Sequence, residues 1–386
     1  MQIFKKPNFK FMKYKYIAFS LSGILILVGV INITSGKGLN QGIDFAGGSL
    51  IRVMFKDPIP TSQVRESLGE VGLGKSKIQE LEKSEREYII RSLGITGEEG
   101  EELGIEAHEI IANNVIEALR GAEDKSALER GLKDLNSIDT PELTLILEPS
   151  FPEQASEIAT RITNFRKDEG IIQDFDQLQE TMGISSEAVE FLKGQTFLGQ
   201  LTILSRETVG PQVGHDLRGK AAQATVWALI GMLIYIGIRF KFAYGVSAIL
   251  TLAHDVLITL GVFSLTNREI NLPVIAAILT IVGYSLNDTI VIFDRVRDNL
   301  RIMRRHNFED ILDSSINQTL SRTVITSSTT FLTVFALFLF GGEVINDFAF
   351  TLIVGVLVGT YSSIYQSCPL LYFWNKIFKP KKGMRK

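Results

Sequence analysis

Asp288 lies inside an apolar run, Leu272 to Phe293, followed by Thr-Ile-Val-Ile-Phe before the first charges at Asp294 and Arg295. At about 1.5 Å per helical residue such a run spans a hydrocarbon core about 30 Å thick. A carboxylate at that depth costs roughly 2.5–3.5 kcal/mol on insertion scales and usually faces a bundle interior or a water path. Reversible proton binding is the chemistry it offers. Tyr284 and Ser285 share its side of a helix at i−4 and i−3. Asn287 points elsewhere, where an amide can bond a neighbouring helix.

Two further sets of polar residues stand in apolar surroundings. His254 and Asp255 sit near the middle of the run from Ala243 to Leu265. A structural contact between helices and a direct part in conduction are equally open to this pair. Arg322 opens the stretch Ser321-Arg322-Thr-Val-Ile-Thr-Ser-Ser-Thr-Thr330, at the inner edge of a further apolar run. Asp288 is expected about six residues, roughly 9 Å, from the inner end of its own helix. A snorkelling guanidinium covers much of that distance. Arg322 then either approaches Asp288, where cation and burial oppose each other in setting proton affinity, or is an ordinary anchor at the membrane edge.

The elements that position these residues are membrane spans. Apolar stretches at residues 17–33, 221–238, 243–265, 272–293, 324–340 and 345–374 predict six, the last longer than one crossing needs. With residues 1–16 placed in the cytoplasm, the cytoplasmic segments hold 19 Lys and Arg, against Arg268 alone in the two short outer loops. That asymmetry puts both termini inside, with a basic tail at 375–386, and residues 34–220 outside. The first stretch, behind five lysines, reads as an uncleaved anchor rather than a signal peptide, since no Ala-x-Ala site follows it. Gly355 and Gly359 form a G-x-x-x-G that permits close helix contact.

Residues 34–220 carry a net charge of −13 and the remainder +10, giving the chain's −3. Such a division suggests two compartments rather than one soluble fold. A β-rich run over 42–55 predicts a strand, 61–70 a helix capped by Thr61 or Ser62, and 77–81 and 88–91 short strands. Helices are expected over 106–119 and 153–166, strands over 143–147 and 196–207, and two short helices around Gly183 within 171–192, the second capped by Ser185 or Ser186. This order suggests an α+β domain of the split βαβ kind. The hairpin around Gly183 is acidic, so it fits packing or partner docking rather than nucleic acid. Gly69 to Ser76 matches the phosphate-loop pattern G-x-x-x-x-G-K-S, but a helix precedes it and a strand follows, the reverse of what a phosphate cradle needs. Nucleotide binding is not expected. The four scattered histidines (His108, His215, His254, His306) show no metal-ligand spacing, and Cys368 alone forms no intrachain disulfide.

Taken together, the chain resembles the SecD/SecF family, within the resistance-nodulation-division transporter superfamily. The resemblance rests on Gly42-Ile-Asp-Phe-Ala-Gly-Gly48, Glu207-Thr-Val-Gly-Pro-Gln-Val-Gly-His-Asp-Leu-Arg218 and His254-Asp-Val-Leu-Ile-Thr-Leu-Gly261. Its strongest parts are Val282-Gly-Tyr-Ser-Leu-Asn-Asp-Thr-Ile-Val-Ile-Phe-Asp-Arg295 and Ser321 to Thr330. It implies a polytopic helical membrane protein with six transmembrane helices and a ferredoxin-like outer domain between helices one and two. It implies that Asp288 and Arg322 serve proton conduction in a bacterial inner membrane, driven by the proton gradient with no cofactor and no enzymatic reaction. The implied partners are a SecD-like subunit, the protein-export channel, unfolded preprotein and membrane lipids. The outer domain is longer than the resemblance predicts, with an insertion expected near 94–194. Two other readings are a small-molecule or lipid exporter of the same superfamily, and a passive scaffold in which the polar residues only join helices.

Overall fold

The computed structural model describes residues 7–35, 38–81, 86–93, 110–240 and 242–378. The chain divides into two compact units, one of residues 1–42 with 218–386 and one of Ile43–Leu217.

The first unit is helical. Its helices are α1 (Lys15–Ser35), α2 (Pro211–Arg239, from Arg218 onward), α3 (Phe242–Thr266), α4 (Leu272–Ile302), α5 (Phe308–Phe340), α6 (Glu343–Tyr365) and α7 (Ser367–Phe378). Six stretches are long and apolar enough to cross a membrane, the last comprising α6 and α7 together. Local sequence sets their limits. Asn271 accepts from the Val274 amide at the start of α4, and Asn307 accepts from the Asp310 amide at the start of α5, each an N-cap that satisfies an otherwise orphaned donor. The final run breaks at Gln366, because Pro369 lacks the amide that would reach the Tyr365 carbonyl.

Two helices differ from expectation. α4 continues past Phe293 to Ile302, and α5 begins at Phe308 rather than near Val324. At 31 and 33 residues they extend about 46–50 Å, well beyond the hydrocarbon core. Charges at 294 and 295 mark where the chain leaves apolar surroundings, not where the helix stops. Beyond that point the two helices stay paired by polar contacts: Asn299 donates to Ser315 Oγ at 2.9 Å and to Gln318 Oε1 at 3.0 Å, and Arg295 also donates to Gln318. Asp294 is held by Arg239 at 3.0 Å and Arg297 at 2.8 Å. Ahead of α1, Asn317 of α5 clasps the backbone of Phe9 through both its amide N–H and C=O (2.9 and 2.8 Å). Met12, Ile236, Ile292, Phe293, Val296 and Leu312 belong to the apolar core of this unit.

The second unit contains a four-stranded antiparallel sheet of β1 (Gly48–Phe55), β2 (Lys77–Glu80), β3 (Glu87–Leu93) and β4 (Leu201–Val209) in the order β2-β3-β1-β4. Helices Thr61–Glu70 and Ile110–Leu119 follow β1 and β3. This is the βαββαβ plan of the ferredoxin-like fold, with β3 split between β1 and β2. Ile51, Val53, Phe55, Tyr88 and Ile90 supply the sheet's buried face, alternating as strand geometry requires.

Several expectations are corrected. Residues 42–47 do not extend β1: Ile43–Ala46 forms a helical turn, and Gly47 and Gly48 return the chain at φ 72° and 139°, angles that favour glycine. The helix at 61 has Pro60 as its cap, and Thr61 Oγ1 donates instead to Glu80. The expected closing strand at 196–207 splits into Thr196–Phe197 and β4. The expected strand at 143–147 is the end of a helix, Thr140–Leu147, whose Asp139 cap accepts from the Glu142 amide. A short apolar run carries no periodicity to separate the two readings, and the cap decides.

That helix belongs to an all-but-helical insertion placed between the second helix of the plan and β4, over residues 122–199. The part of the expected insertion at 94–109 and the start of the expected helix at Glu106 lie outside the described residues, as do 1–6 and 379–386. Ala122–Glu129, Ala155–Asp168, Asp176–Glu180 and Ser186–Gln195 are its other helices; Ser185 caps the last of these, and Gly183 turns the hairpin at φ 64°. Asn136, fully buried, ties the insertion to the sheet: its amide bonds Ile172 and Gly199, and its carbonyl accepts from Thr202 of β4. The Gly69–Ser76 segment is the helix-to-strand turn its sequence context predicts. Its amides at Gly72 and Leu73 close the helix end on the carbonyls of Gly69 and Leu68.

Candidate functional site

The helices of the first unit meet at constant offsets. Ser22, Gly29 and Asn32 of α1 face His254, Gly261 and Ser264 of α3, each pair 232 positions apart. Their spacings of seven and three residues place them on one stripe of each helix, as parallel packing demands. A Cβ added to Gly29 would lie 2.7 Å from Gly261 Cα, so the two backbones touch. α4 and α6 are matched in the same way: Gly355 meets Ile281 and Gly359 meets Ser285. The G-x-x-x-G read from the sequence is therefore a contact between α6 and α4. Gly355→Ala forces its methyl to within 2.1 Å of the Ile281 side chain and is expected to cost about 1–3 kcal/mol. Adding Ile281→Ala should recover part of the lost thermal stability, because the obstructing atoms all belong to that side chain and lie beyond its Cβ.

Asp288 stands near the midpoint of α4, fourteen residues or about 21 Å from its end at Ile302, not six residues from it as expected. Arg322 likewise lies near the middle of α5 rather than at its edge. The α4–α5 contacts bracket them: Arg295 with Gln318 on one side, and on the other Tyr284, whose hydroxyl donates to Ser327 Oγ at 3.2 Å. Thr360 of α6 donates to the same Ser327 oxygen at 2.8 Å.

Asp288 is 3% exposed. Arg322, Asn287 and Ser327 are the groups that bear on it, yet no ion pair joins it to Arg322 among the described residues, and the Arg322 side chain is exposed. Asp288 Oδ2, Thr289 Oγ1 and Thr323 Oγ1 are buried without hydrogen-bond partners among the described residues. Unpartnered buried polar atoms are rare in native folds, and here three of them lie on α4 and α5. Beside it, a cavity of about 540 Å³ opens between α5 and α6, lined in part by Ser327, Phe331, Thr360 and Tyr361.

Ser285 does not serve Asp288. It donates to Asp255 Oδ2 at 2.5 Å, and Ser362 donates to the same oxygen at 2.8 Å. Asp255 Oδ1 lies 2.8 Å from His254 Nδ1, and His254 Nε2 lies 2.8 Å from Ser22 Oγ. Gln366, at the break between α6 and α7, donates to Ser22 Oγ at 2.7 Å. Tyr361 stacks on the His254 ring and donates to the Ala18 carbonyl at 3.0 Å. The candidate residues thus fall into two sets, Asp288 with Tyr284, Arg322 and Asn287, and Asp255 with His254 and Ser285. Ser22, Ser327, Thr360, Tyr361, Ser362 and Gln366 were not singled out by sequence. Their signal is polarity inside apolar runs: Ser362 and Gln366 repeat at helical spacing on α6 and its break.

The opposite end of the bundle holds Arg268, the lone basic residue of the short loops at that end. It donates to Asn346 at 2.8 Å and Asp347 at 2.5 Å and lies over the Phe350 ring, closing the α3–α4 turn on the start of α6.

Residues 191–377 match the family described as "Protein export membrane protein SecD/SecF, C-terminal", and residues 33–59 match the SecD/SecF GG motif. The second match contains the Gly47-Gly48 turn. Protein translocase subunit SecF of Koribacter versatilis is 38% identical over 387 residues, covering 96% of this chain and 93% of that protein. Its counterpart in Desulfurispirillum indicum is 36% identical over 367 residues, covering 94% and 91%. Among solved structures, SecDF of Thermus thermophilus, described as a translocon-associated membrane protein, superposes with a TM-score of 0.64 at 30% identity over 96% of this chain. The chain spans 39% of the length of that SecDF chain.

Proposed function

The chain belongs to the SecF family of protein translocase subunits, and from that premise we propose that it works with a SecD-like subunit beside the protein-export channel. There it draws on the proton gradient to help carry unfolded preprotein across a bacterial inner membrane, with both of its termini inside. The observation that carries the proton step is Asp288: a buried carboxyl with one oxygen unpartnered, near a guanidinium to which it is not bound.

In this reading a proton enters from outside and neutralises Asp288. Its attraction to Arg322 and its hydration both weaken, and α4 moves against α5. Release to the inside restores the charge and resets the helices. Each charge moved contributes about 2.3 kcal/mol per 100 mV of membrane potential, added to the pH difference. The superposition on SecDF supports the partner, because transporters of this superfamily pair two such helical halves.

The test is transport into vesicles containing this chain, a SecD-like subunit and the channel. An ionophore that collapses the proton gradient is expected to lower transport to the level of vesicles lacking this chain. Stimulation that survives the ionophore would remove the proton gradient from the scheme.

A further inference from the structure

We infer that His254 and Asp255 form a second exchangeable proton site, separate from Asp288, in which the Ser22 hydroxyl lets the site hold or release a proton without leaving a buried polar atom unpaired. The inference rests on hydrogen-bond accounting. Asp255 receives Ser285 and Ser362 at Oδ2, so a carboxylate there accepts, and His254 Nδ1 carries the hydrogen that meets Oδ1. His254 Nε2 then has two states. With a lone pair it accepts from Ser22 O–H; with a proton it donates to Ser22 Oγ, 2.8 Å away in either case.

Ser22 can serve both states because its surroundings provide for both. Gln366 donates to its oxygen at 2.7 Å throughout. Its one hydrogen turns to His254 Nε2 in the first state and to Tyr361 Oη, 3.3 Å away, in the second. Tyr361 accepts it because its own hydrogen is spent on the Ala18 carbonyl. The proton balance is simple: one proton adds to Nε2, the pair passes from one net negative charge to none, and no bond between heavy atoms changes. A purely structural polar contact needs no such second acceptor. Tyr361 also lines the cavity between α5 and α6.

The groups facing the pair are few. α1 presents Ser22, α4 presents Ser285 with Asp288 one turn further on, and α6 presents Tyr361 and Ser362. Among the described residues no Lys or Arg is hydrogen-bonded to the pair. The proton it holds therefore changes the charge at the junction of α1 with α3, α4 and α6.

The test is nitrogen NMR of the full chain in lipid nanodiscs with labelled histidine, the His254 signals being identified by their loss in His254→Gln. Neutral imidazole protonated at Nδ1 is expected at pH 9 and imidazolium at pH 5, reversibly. Ser22→Ala should lower the imidazolium population at pH 5 at least threefold, and Ser22→Thr, which keeps the hydroxyl, should not. A single His254 form across the whole range overturns the site, and wild-type behaviour of Ser22→Ala overturns the part given to Ser22. Should Ser22→Ala lose its His254 signals at pH 9 through misfolding, the wild-type and Ser22→Thr series decide alone. The measurement does not depend on export. Asp288→Asn leaves Ser22, Tyr361 and Gln366 in place, and His254 is expected still to interconvert reversibly between its two forms in that variant, so failure of the Asp288 reading and failure of this one are separate results.

Discussion

Asp288→Asn is expected to reduce gradient-dependent export at least tenfold while leaving the chain folded and its partners bound. Asparagine has nearly the size and shape of the protonated acid. It keeps one acceptor for the donors Asn287 and Ser327, and its amide N–H groups can meet the unpartnered threonine hydroxyls nearby. It also removes a charge whose burial costs stability, so the variant should unfold at an equal or higher temperature than the parent. What it cannot do is alternate between charged and neutral states. Export and partner recovery are to be measured on the same membranes. Full export would show that Asp288 need not change charge; loss of export together with loss of the partners would favour the scaffold reading. An intermediate variant is available at the other group. Arg322→Lys keeps the cation but gives up the planar fork of donors, and should retain part of the activity that Arg322→Gln loses.

Gly29→Leu is expected to cost about 1–3 kcal/mol or more and to open the junction of α1 with α3. Unlike the clash at Gly355, the obstruction here is backbone: the new Cβ meets Gly261 Cα at 2.7 Å, and no side chain can swing aside. The contact lies between two others in the same register, Ser22 with His254 and Asn32 with Ser264 at 2.7 Å. Forcing the helices apart at Gly29 therefore breaks both hydrogen bonds, and the His254 nitrogen spectrum reports the first of them. Gly23→Leu, on the same helix, is the control. A Cβ there meets nothing within 4 Å, and the substitution should be tolerated. Equal destabilisation by both variants would mean that α1 and α3 do not pack through this pair.

The amino-acid sequence by itself determined what depends on neighbours along the chain. Six apolar stretches, the depth of Asp288 and Asp255, the split βαβ order and the glycine pair on α6 are all legible there, because hydropathy, strand alternation and helical spacing are local properties. Helix limits were less legible. Asp294 and Arg295 report contact with water, and a helix crosses that boundary freely when Asn299 and Arg295 find partners on α5. The apolar run Leu143–Leu147 fits either regular structure, and a cap one turn earlier settled it.

Only the tertiary structure decided which polar residue meets which. Ser285 is equally near Asp288 in sequence and Asp255 in space, and the register of α4 against α3 and α6 gave it to Asp255. The same register brought Ser22 of the first span to His254 of the third, 232 residues on. Helical periodicity fixes the face on which a side chain stands. It carries no information about the helix opposite, since that choice is made by close approach at Gly29, Gly261, Gly355 and Gly359, where two distant stretches of chain must fit each other at once.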